Sequence, residues 1–257
     1  GIYRNPLVEP FTLGISGGAS FGVALAMVTG LHLSAGMLIL PASGFAGALL
    51  TIFLVYALGM KKGGLNINRM LLIGVMISFL ASSATMLLMS VTSAENLHGI
   101  VFWTMGSLDE PNRRLILLML FFSLSGLVIS FLFARPLNAL RLGEAKAQHM
   151  GINTPDIIRF LFILSSLLTG ICVAVAGVIG FVGLIIPHIM RMIIGSDHRI
   201  LLISSYLGGS IFLIFSDIAA RTIISPNELP IGVITGIAGG MAFIIILLRT
   251  KSRIKIS

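Results

Sequence analysis

The sequence predicts an all-α integral membrane protein, a polytopic bundle of membrane-spanning helices. Of the 257 residues, 56% are hydrophobic and only 10% are charged, whereas soluble domains contain about 25% charged residues. The mean hydropathy is +1.06, far above that of a water-soluble chain. The apolar runs show no period-two alternation, which favours helices over the strands of a membrane barrel.

Eight apolar segments are predicted to be spanning helices, each of which needs about 20 residues. The sixth segment is short, and Gly177, Gly180 and Gly183 predict an irregular start. Pro187 in the same segment is expected to kink the helix or to begin its regular part. The segments run over 11–33, 36–60, 69–92, 115–134, 157–177, 178–194, 200–219 and 230–249.

The distribution of basic residues predicts the orientation of the bundle. With the N-terminus placed inside, 14 of the 17 Lys and Arg residues fall inside and only Arg113, Arg114 and Arg221 fall outside. An excess of Lys and Arg is typical of cytoplasmic connections. Both ends of the chain are therefore expected in the cytoplasm of a bacterial or archaeal cell. The net charge of +8 indicates this orientation and not nucleic-acid binding.

Two connections are long enough to carry structure of their own. Residues 93–114, predicted outside, contain Phe102 and Trp103, which suit an interfacial anchor on a short helix lying flat. Residues 135–156, predicted inside, contain the good helix formers of "GEAKAQHMG" between two glycines, so a short cytoplasmic helix is expected there. A connection of this length is usually functional.

A polar stripe follows one face of the third segment. Ser78, Ser82, Thr85 and Met89 are spaced i, i+4, i+7 and i+11, which places them on one side of a helix. They are candidates for lining the path of a polar solute, with methionine as an adaptable surface. The alternative is that the hydroxyls bond to neighbouring helices.

Two other patterns invite catalytic or metal-binding interpretations. "GISGG" matches the G-x-S-x-G pattern at Ser16, which would make an intramembrane serine protease with His188 as its base. Small residues that let helices approach closely are the stronger interpretation. His188 and Arg191 share a helix face, but one histidine makes no metal site, and the single cysteine, Cys172, excludes an internal disulfide.

The sequence contains no recognisable motif that could supply the energy for uphill transport. No G-x-x-x-x-G-K-[ST] motif is present, so the chain has no P-loop for ATP. Carboxylates are nearly absent from the apolar segments, which disfavours a proton-coupled secondary transporter. At the outer end of the seventh segment, Asp217 and Arg221 are spaced for a local ion pair, although Arg221 is also a candidate contact for an outside partner.

Five ordered motifs resemble the FecCD family, the membrane permeases of ABC importers for iron-siderophores, haem and vitamin B12. The resemblance covers nearly the whole chain. It implies a ten-helix permease that pairs with an identical or sister permease, binds two cytoplasmic ATPase subunits and receives a substrate-binding protein outside. The motifs are "NPLVEPFTLGISGGASFG", "RPLNALRLGEAKAQHMGI", "GFVGLIIPHIMRMIIGSDHR", "SDIAAR" and "ELPIGVITGIAGG".

The resemblance also implies roles for particular residues. Arg221 would help dock the binding protein, and 135–156 would hold the coupling helices that contact the ATPase. ATP and Mg²⁺ would bind the partner subunit, and this chain would bind no cofactor and carry no catalytic or metal-ligating residue. The coupling residues would be Leu142, Gly143, Glu144, Ala145, Lys146, Ala147 and Gly151.

The expected function is the permease step in importing an iron complex of the siderophore type, with haem or vitamin B12 as alternative cargo. The chain is expected to be one permease domain, 1–257, with eight of the ten family helices and the first two missing. It departs from the family at Met241, where relatives often have proline, which puts the local bend of the last helix in doubt.

Overall fold

The computed structural model is mostly helical and describes residues 13–254 except 35, 37, 62, 63 and 66. The first part of the first motif, residues 5–12, lies outside this range. β1 and β2 pair antiparallel with Met60 opposite Leu65. In chain order the elements are α1 (Ile15–Val28), α2 (Leu31–Ser34), α3 (Ile39–Gly59), β1 (Met60–Lys61), β2 (Gly64–Leu65), α4 (Ile67–Val91), α5 (Ala94–Met105), α6 (Arg113–Leu132), α7 (Ala134–Arg141), α8 (Glu144–His149), α9 (Thr154–Ala176), α10 (Val182–Ile194), α11 (His198–Thr222) and α12 (Ile231–Ile254).

The eight predicted apolar segments correspond to α1, α3, α4, α6, α9, α10, α11 and α12, in that order. Within the described residues, five of these helices, α3, α4, α6, α9 and α11, are long and apolar enough to cross a membrane. The fold class is therefore confirmed. However, α1 has 14 residues and α10 has 13, fewer than the roughly 20 that a straight span needs.

Left-handed backbone at the helix ends explains why these two helices are short. Gly14 (φ 85°) precedes α1 and Gly30 (φ 72°) follows it. Gly177 (φ 70°) ends α9, and Phe181, a non-glycine residue at φ 68°, immediately precedes α10. The irregular start predicted for the sixth segment is confirmed.

Pro187 lies inside α10, five residues after the helix begins at Val182. It does not begin the regular part of that helix, contrary to one of the two expectations. The last helix is also continuous: α12 passes through Met241, the position where relatives often have proline, without a break in its helical backbone.

Close approach of α1 and α3 builds the main core. A Cβ at Gly22 would lie within 3.0 Å of the carbonyl oxygen of Ser43, and one at Gly47 within 3.0 Å of the carbonyl oxygen of Gly18. Only glycine allows two backbones to come this close. The small-residue interpretation of "GISGGASFG" is therefore confirmed. The surrounding core includes Leu13, Ile15, Ala19, Ala48, Ile52, Val55, Met70, Phe162 and Val173.

Large apolar side chains cover the outside of the bundle. On α4, α6 and α11 only 11% of the most apolar window is buried inside the chain. Leu80, Phe121 and Phe215 are among the exposed residues of these helices. Apolar side chains facing outward along a whole helix are expected for contact with lipid or with another membrane chain.

The short helix predicted within 93–114 is present as α5. Its first turn is capped by Ser93, whose hydroxyl accepts a hydrogen bond from the backbone N–H of Asn96 at 3.3 Å. Phe102 is exposed, but Trp103 packs against the cores that contain Ala48 and Ile100. Trp103 is thus half-buried against these cores, and its role as an interfacial anchor stays a prediction.

Candidate translocation cavity and coupling surface

The four residues of the predicted polar stripe line one cavity. Ser78, Ser82, Thr85 and Met89 lie along α4, and all of them border a space of about 380 Å³. This is within the range of about 300–1,000 Å³ typical of small-molecule sites. The four residues that the helical spacing placed on one face therefore do share one surface in the fold.

The opposite wall of the cavity comes from α1 and was missed in the sequence. Ser16, Gly17 and Ser20 line it, and Gly17 lets α1 approach α4: a Cβ there would already be in contact, 3.4 Å from the Cα of Ser78. Ser16 and Ser20 are four residues apart and so share a helix face. That spacing was the available signal in the sequence.

Two hydroxyls at the cavity are oriented by their own helices. Thr85 donates its hydroxyl to the carbonyl of Ala81 at 2.8 Å, and Thr104 on α5 donates to the carbonyl of Val101 at 2.7 Å. A hydroxyl whose proton is used in this way keeps lone pairs that can accept hydrogen bonds. Thr85 and Thr104 therefore keep acceptor oxygens at the cavity.

Close glycine contacts lie next to two of the cavity residues. Thr104 and Val178 line the cavity and are near the points where three segments meet. A Cβ at Gly177 would lie 2.9 Å from the Cα of Gly106, and one at Gly232 would lie 3.0 Å from the carbonyl oxygen of Val178. The ends of α5 and α9 and the start of α12 thus meet at backbone distance.

The predicted short helix in 135–156 is present as α8, preceded by a further helix, α7. Gly143 (φ 117°) and Gly151 (φ 80°) bracket α8 in left-handed backbone, which favours glycine. The two helices share a small core with α9, formed by Ala139, Leu140, Ala147 and Ile158.

Two of the seven predicted coupling residues, Gly143 and Gly151, bracket α8, and the other five differ in exposure. Leu142, 61% exposed, and Glu144, Ala145 and Lys146 are all exposed at the start of α8. Ala147 is 0% exposed: it holds α8 in place and offers no contact to a partner. The exposed surface also contains Met150, a large apolar residue that the sequence did not single out.

Arg221 lies among three carboxylates near the end of α11. Its Nε donates to Oδ2 of Asp217 at 2.9 Å, which confirms the local ion pair expected from their spacing. Its Nη atoms lie 3.8 Å from Asp109 and 3.8 Å from Glu228. Arg221 is therefore not an isolated cation, and the acidic residues around it are part of any surface that it presents.

His188 and Arg191 lie on α10, half-buried and exposed respectively. Among the residues that the structure describes, no group of three His, Cys, Asp or Glu side chains is placed to hold a metal ion. Ser16 is 7% exposed and contributes to the cavity wall described above, where it serves packing and lining.

Comparison with known proteins identifies the family. A family model described as the FecCD transport family matches residues 1–249. The ABC transporter permease protein YvrB of Bacillus subtilis (strain 168) is 40% identical over 251 residues, covering 97% of this chain and 71% of YvrB. The hemin transport system permease protein HmuU of Yersinia pestis is 36% identical over 255 residues, covering 98% of this chain and 76% of HmuU.

A solved structure has the same fold. A chain described as belonging to a metal-chelate type ABC transporter, in an inward-facing conformation, superposes with a TM-score of 0.87 at 33% identity. The match covers 96% of this chain and 78% of that one. These relatives are transport subunits whose ATPase is a separate chain. The chain is thus a multi-pass membrane protein of the FecCD transport family, an ABC importer permease and not an enzyme.

Proposed function

We propose that this permease moves an iron complex of the siderophore type into the cytoplasm. The observation that carries the proposal is the lining of the α1–α4 cavity: the described residues contribute hydroxyl, thioether, apolar and backbone groups and no ionisable side chain. Such a surface accepts hydrogen bonds and packs against apolar atoms. It suits an organic chelate that already encloses its metal ion.

A bare metal cation is a poorer fit to this cavity. Iron is held in proteins by imidazole, carboxylate or thiolate ligands, and among the described residues none of these groups lines the cavity. The names of two relatives point the same way, since one transports hemin and the other belongs to the metal-chelate type. Both cargoes are metals enclosed by organic ligands.

A second permease copy, identical or sister, is proposed to complete the path. On the open side of the cavity Ser82 is exposed and Met86 is 67% exposed. A chain in lipid would otherwise present the hydroxyl of Ser82 to hydrocarbon, which is unfavourable. A facing copy of the same wall would enlarge the space and enclose the cargo.

The driving force is proposed to reach the path through α8. Both ends of the chain are placed in the cytoplasm, as the distribution of Lys and Arg predicts. The exposed residues Leu142, Glu144, Ala145 and Lys146 would then face an ATPase subunit, which binds ATP and Mg²⁺. Closure of two such subunits would change which side of the membrane the cavity faces, without chemistry on the cargo.

A substrate-binding protein is proposed to dock on the opposite side, at the surface around Arg221. This surface combines one arginine with Asp109, Asp217 and Glu228, so its net charge is negative. A docking partner would therefore need basic as well as acidic residues to match it.

Uptake by the reconstituted transporter tests the cargo. The permease, its ATPase subunits and its binding protein are placed in liposomes and offered labelled ferric siderophores, haem, cobalamin and free Fe³⁺. ATP-dependent accumulation of a ferric siderophore is expected. Accumulation of haem or cobalamin alone would identify another cargo of the family, and accumulation of free Fe³⁺ alone would contradict the interpretation of the cavity.

A further inference from the structure

The side chain of Asn138 joins α7 to the start of α11, 60 residues along the chain. Its Oδ1 accepts hydrogen bonds from the backbone N–H of His198 at 2.9 Å and lies 2.8 Å from Nδ1 of the same residue. Its Nδ2 donates to Oδ1 of Asp197 at 2.7 Å. His198 is buried at 6% exposure. One amide thus makes three contacts with the first turn of another helix.

The chemistry of these groups determines the direction of each bond. Because an amide oxygen only accepts, Nδ1 of His198 carries the proton. Asp197 also accepts from the backbone N–H of Arg199 at 3.0 Å, as an N-cap residue does. That backbone N–H and the Asn138 amide hold the pKa of the Asp197 carboxyl below its usual range, so it is ionised at neutral pH and accepts both bonds.

The junction is continuous with the proposed ATPase contact. Ala139 and Leu140, next to Asn138, pack against Ala147 of α8. Arg141 also donates to the carbonyl of Ser196, just before α11. A displacement of α8 therefore moves a packed unit that is hydrogen-bonded to the start of α11.

The far end of α11 is attached to different elements. The helix has 25 residues and so spans about 37 Å at 1.5 Å per residue. Near its end Arg221 contacts Asp109, after α5, and Glu228, before α12. The backbone N–H of Leu229 donates to the carbonyl of Ala220 at 3.0 Å. These attachments reach the segments that follow α5 and precede α12.

We propose that Asn138 is a positioning residue that couples α8 to α11, and that α11 carries the movement of the ATPase contact to the segments around Arg221. This rests on the proposed function, since it needs an ATPase acting on α8. Asn138 touches neither cargo nor nucleotide. Its role is to keep the start of α11 attached to the coupling helices while they move.

An exchange of charge between two positions tests the junction. Asn138→Asp sets two carboxylates against each other and separates α7 from α11. Asn138→Asp combined with Asp197→Asn removes this repulsion, because the amide introduced at position 197 donates to the carboxylate introduced at position 138, which still accepts from the backbone N–H of His198. Asn138→Ala removes the bridge without adding charge and replaces Asn138→Asp if that variant does not assemble.

Asn153→Asp is the matched control. Nδ2 of Asn153 donates to Oδ2 of Asp156 at 2.6 Å, so this change also sets two carboxylates against each other in the 135–156 connection. That pair lies within the first turn of α9 and does not involve α11. A general effect of added charge or lowered stability would appear in this control as well.

The readout is the accessibility of the far end of α11 in the complete transporter. Asn227→Cys in a Cys172→Ser background places a thiol beside Glu228, and its reaction rate with a membrane-impermeant maleimide is measured with and without trapped ATP. In this parent the reaction rate is expected to differ by about fivefold or more between the two conditions. The Asn138→Asp variant should lose this difference, and the charge-exchanged double variant and the Asn153→Asp control should keep it.

Three outcomes would overturn the proposal: a retained change in the Asn138→Asp variant, an equal loss in the Asn153→Asp control, or no rescue by the double variant. The proposal is also overturned if the Asn227→Cys, Cys172→Ser parent imports cargo but its thiol reacts at the same rate with and without trapped ATP. That result would not affect the proposed import function. A parent that imports nothing with its ATPase and binding protein present would instead contradict the proposed function.

Discussion

The two ends of α11 are held by different kinds of interaction. At the His198 end, two hydrogen bonds of 2.8–2.9 Å hold a residue that is almost fully buried, and a third of 2.7 Å joins Asn138 to the exposed Asp197. At the Arg221 end, one hydrogen bond of 2.9 Å is accompanied by two ion pairs of 3.8 Å between half-exposed or exposed side chains. The bonds to His198 are short and partly shielded from water, and the two ion pairs of Arg221 are longer and open to water.

This difference indicates that the two ends serve different needs. Buried hydrogen bonds are costly to break, because an unsatisfied buried group loses about 1–3 kcal/mol. Exposed ion pairs are worth about 0–1 kcal/mol and weaken with salt. The His198 end therefore suits a fixed attachment to the coupling helices. The Arg221 end suits contacts that change when a partner docks or a segment moves.

The largest expected effect is the loss of the buried junction. His198→Ala removes a donor to Asn138 and leaves a space at a buried site, so the free energy of unfolding should fall by roughly 1–3 kcal/mol. Unfolding in detergent, followed by near-ultraviolet circular dichroism, measures it. His149→Ala, at an exposed position of α8, should change little. An equal loss in both variants would show that the junction adds no stability.

The second prediction distinguishes the ATPase contact on α8 from the docking surface at the Arg221 end of α11. Replacing Glu144 and Lys146 together with alanine should lower transport-stimulated ATP hydrolysis by about fivefold or more, the usual size of a coupling between sites. Affinity for the binding protein should not change, because the docking surface is at the other end of α11. Normal stimulated hydrolysis in this variant would remove α8 as the ATPase contact.

The smallest expected effect is at the Arg221 end. Arg221→Glu should weaken binding-protein affinity by about fivefold at low salt, equivalent to about 1 kcal/mol. The difference should shrink as ionic strength rises, because exposed charges are screened. Arg113→Glu is the matched change on the same predicted side of the membrane. Unchanged affinity of the Arg221 variant at low salt would contradict the docking role.

Local patterns in the sequence were enough to predict the helices and part of the cavity. Hydropathy located α3, α4, α6, α9 and α11, since burial in lipid requires the same apolar composition along the whole span. The spacing of Ser78, Ser82, Thr85 and Met89 depends only on 3.6 residues per turn, so it predicted correctly that they share a surface. Short helices bracketed by glycine, such as α8, were predictable for the same local reason.

Contacts between distant residues were not predictable in this way. Trp103 has the residue type of an interfacial anchor, but the close approach of its ring to Gly44 of α3 leaves it half-buried. Ala147 lies among coupling residues in the sequence, yet it faces α7. His198 lies between two of the predicted apolar segments, and its burial was not predictable because the partner that buries it, Asn138, is 60 residues away.

The sequence by itself determined that this is a helical membrane protein, which segments form its helices, in what order, and which polar residues of α4 share a face. These are properties of neighbouring residues, read through hydropathy and helical period. Only the tertiary structure decided that α1 faces that stripe, that Arg221 meets three carboxylates and that α11 begins on Asn138. The reason is that these contacts depend on how closely helix backbones approach, and that distance is set by pairs of glycines and side chains far apart in the chain.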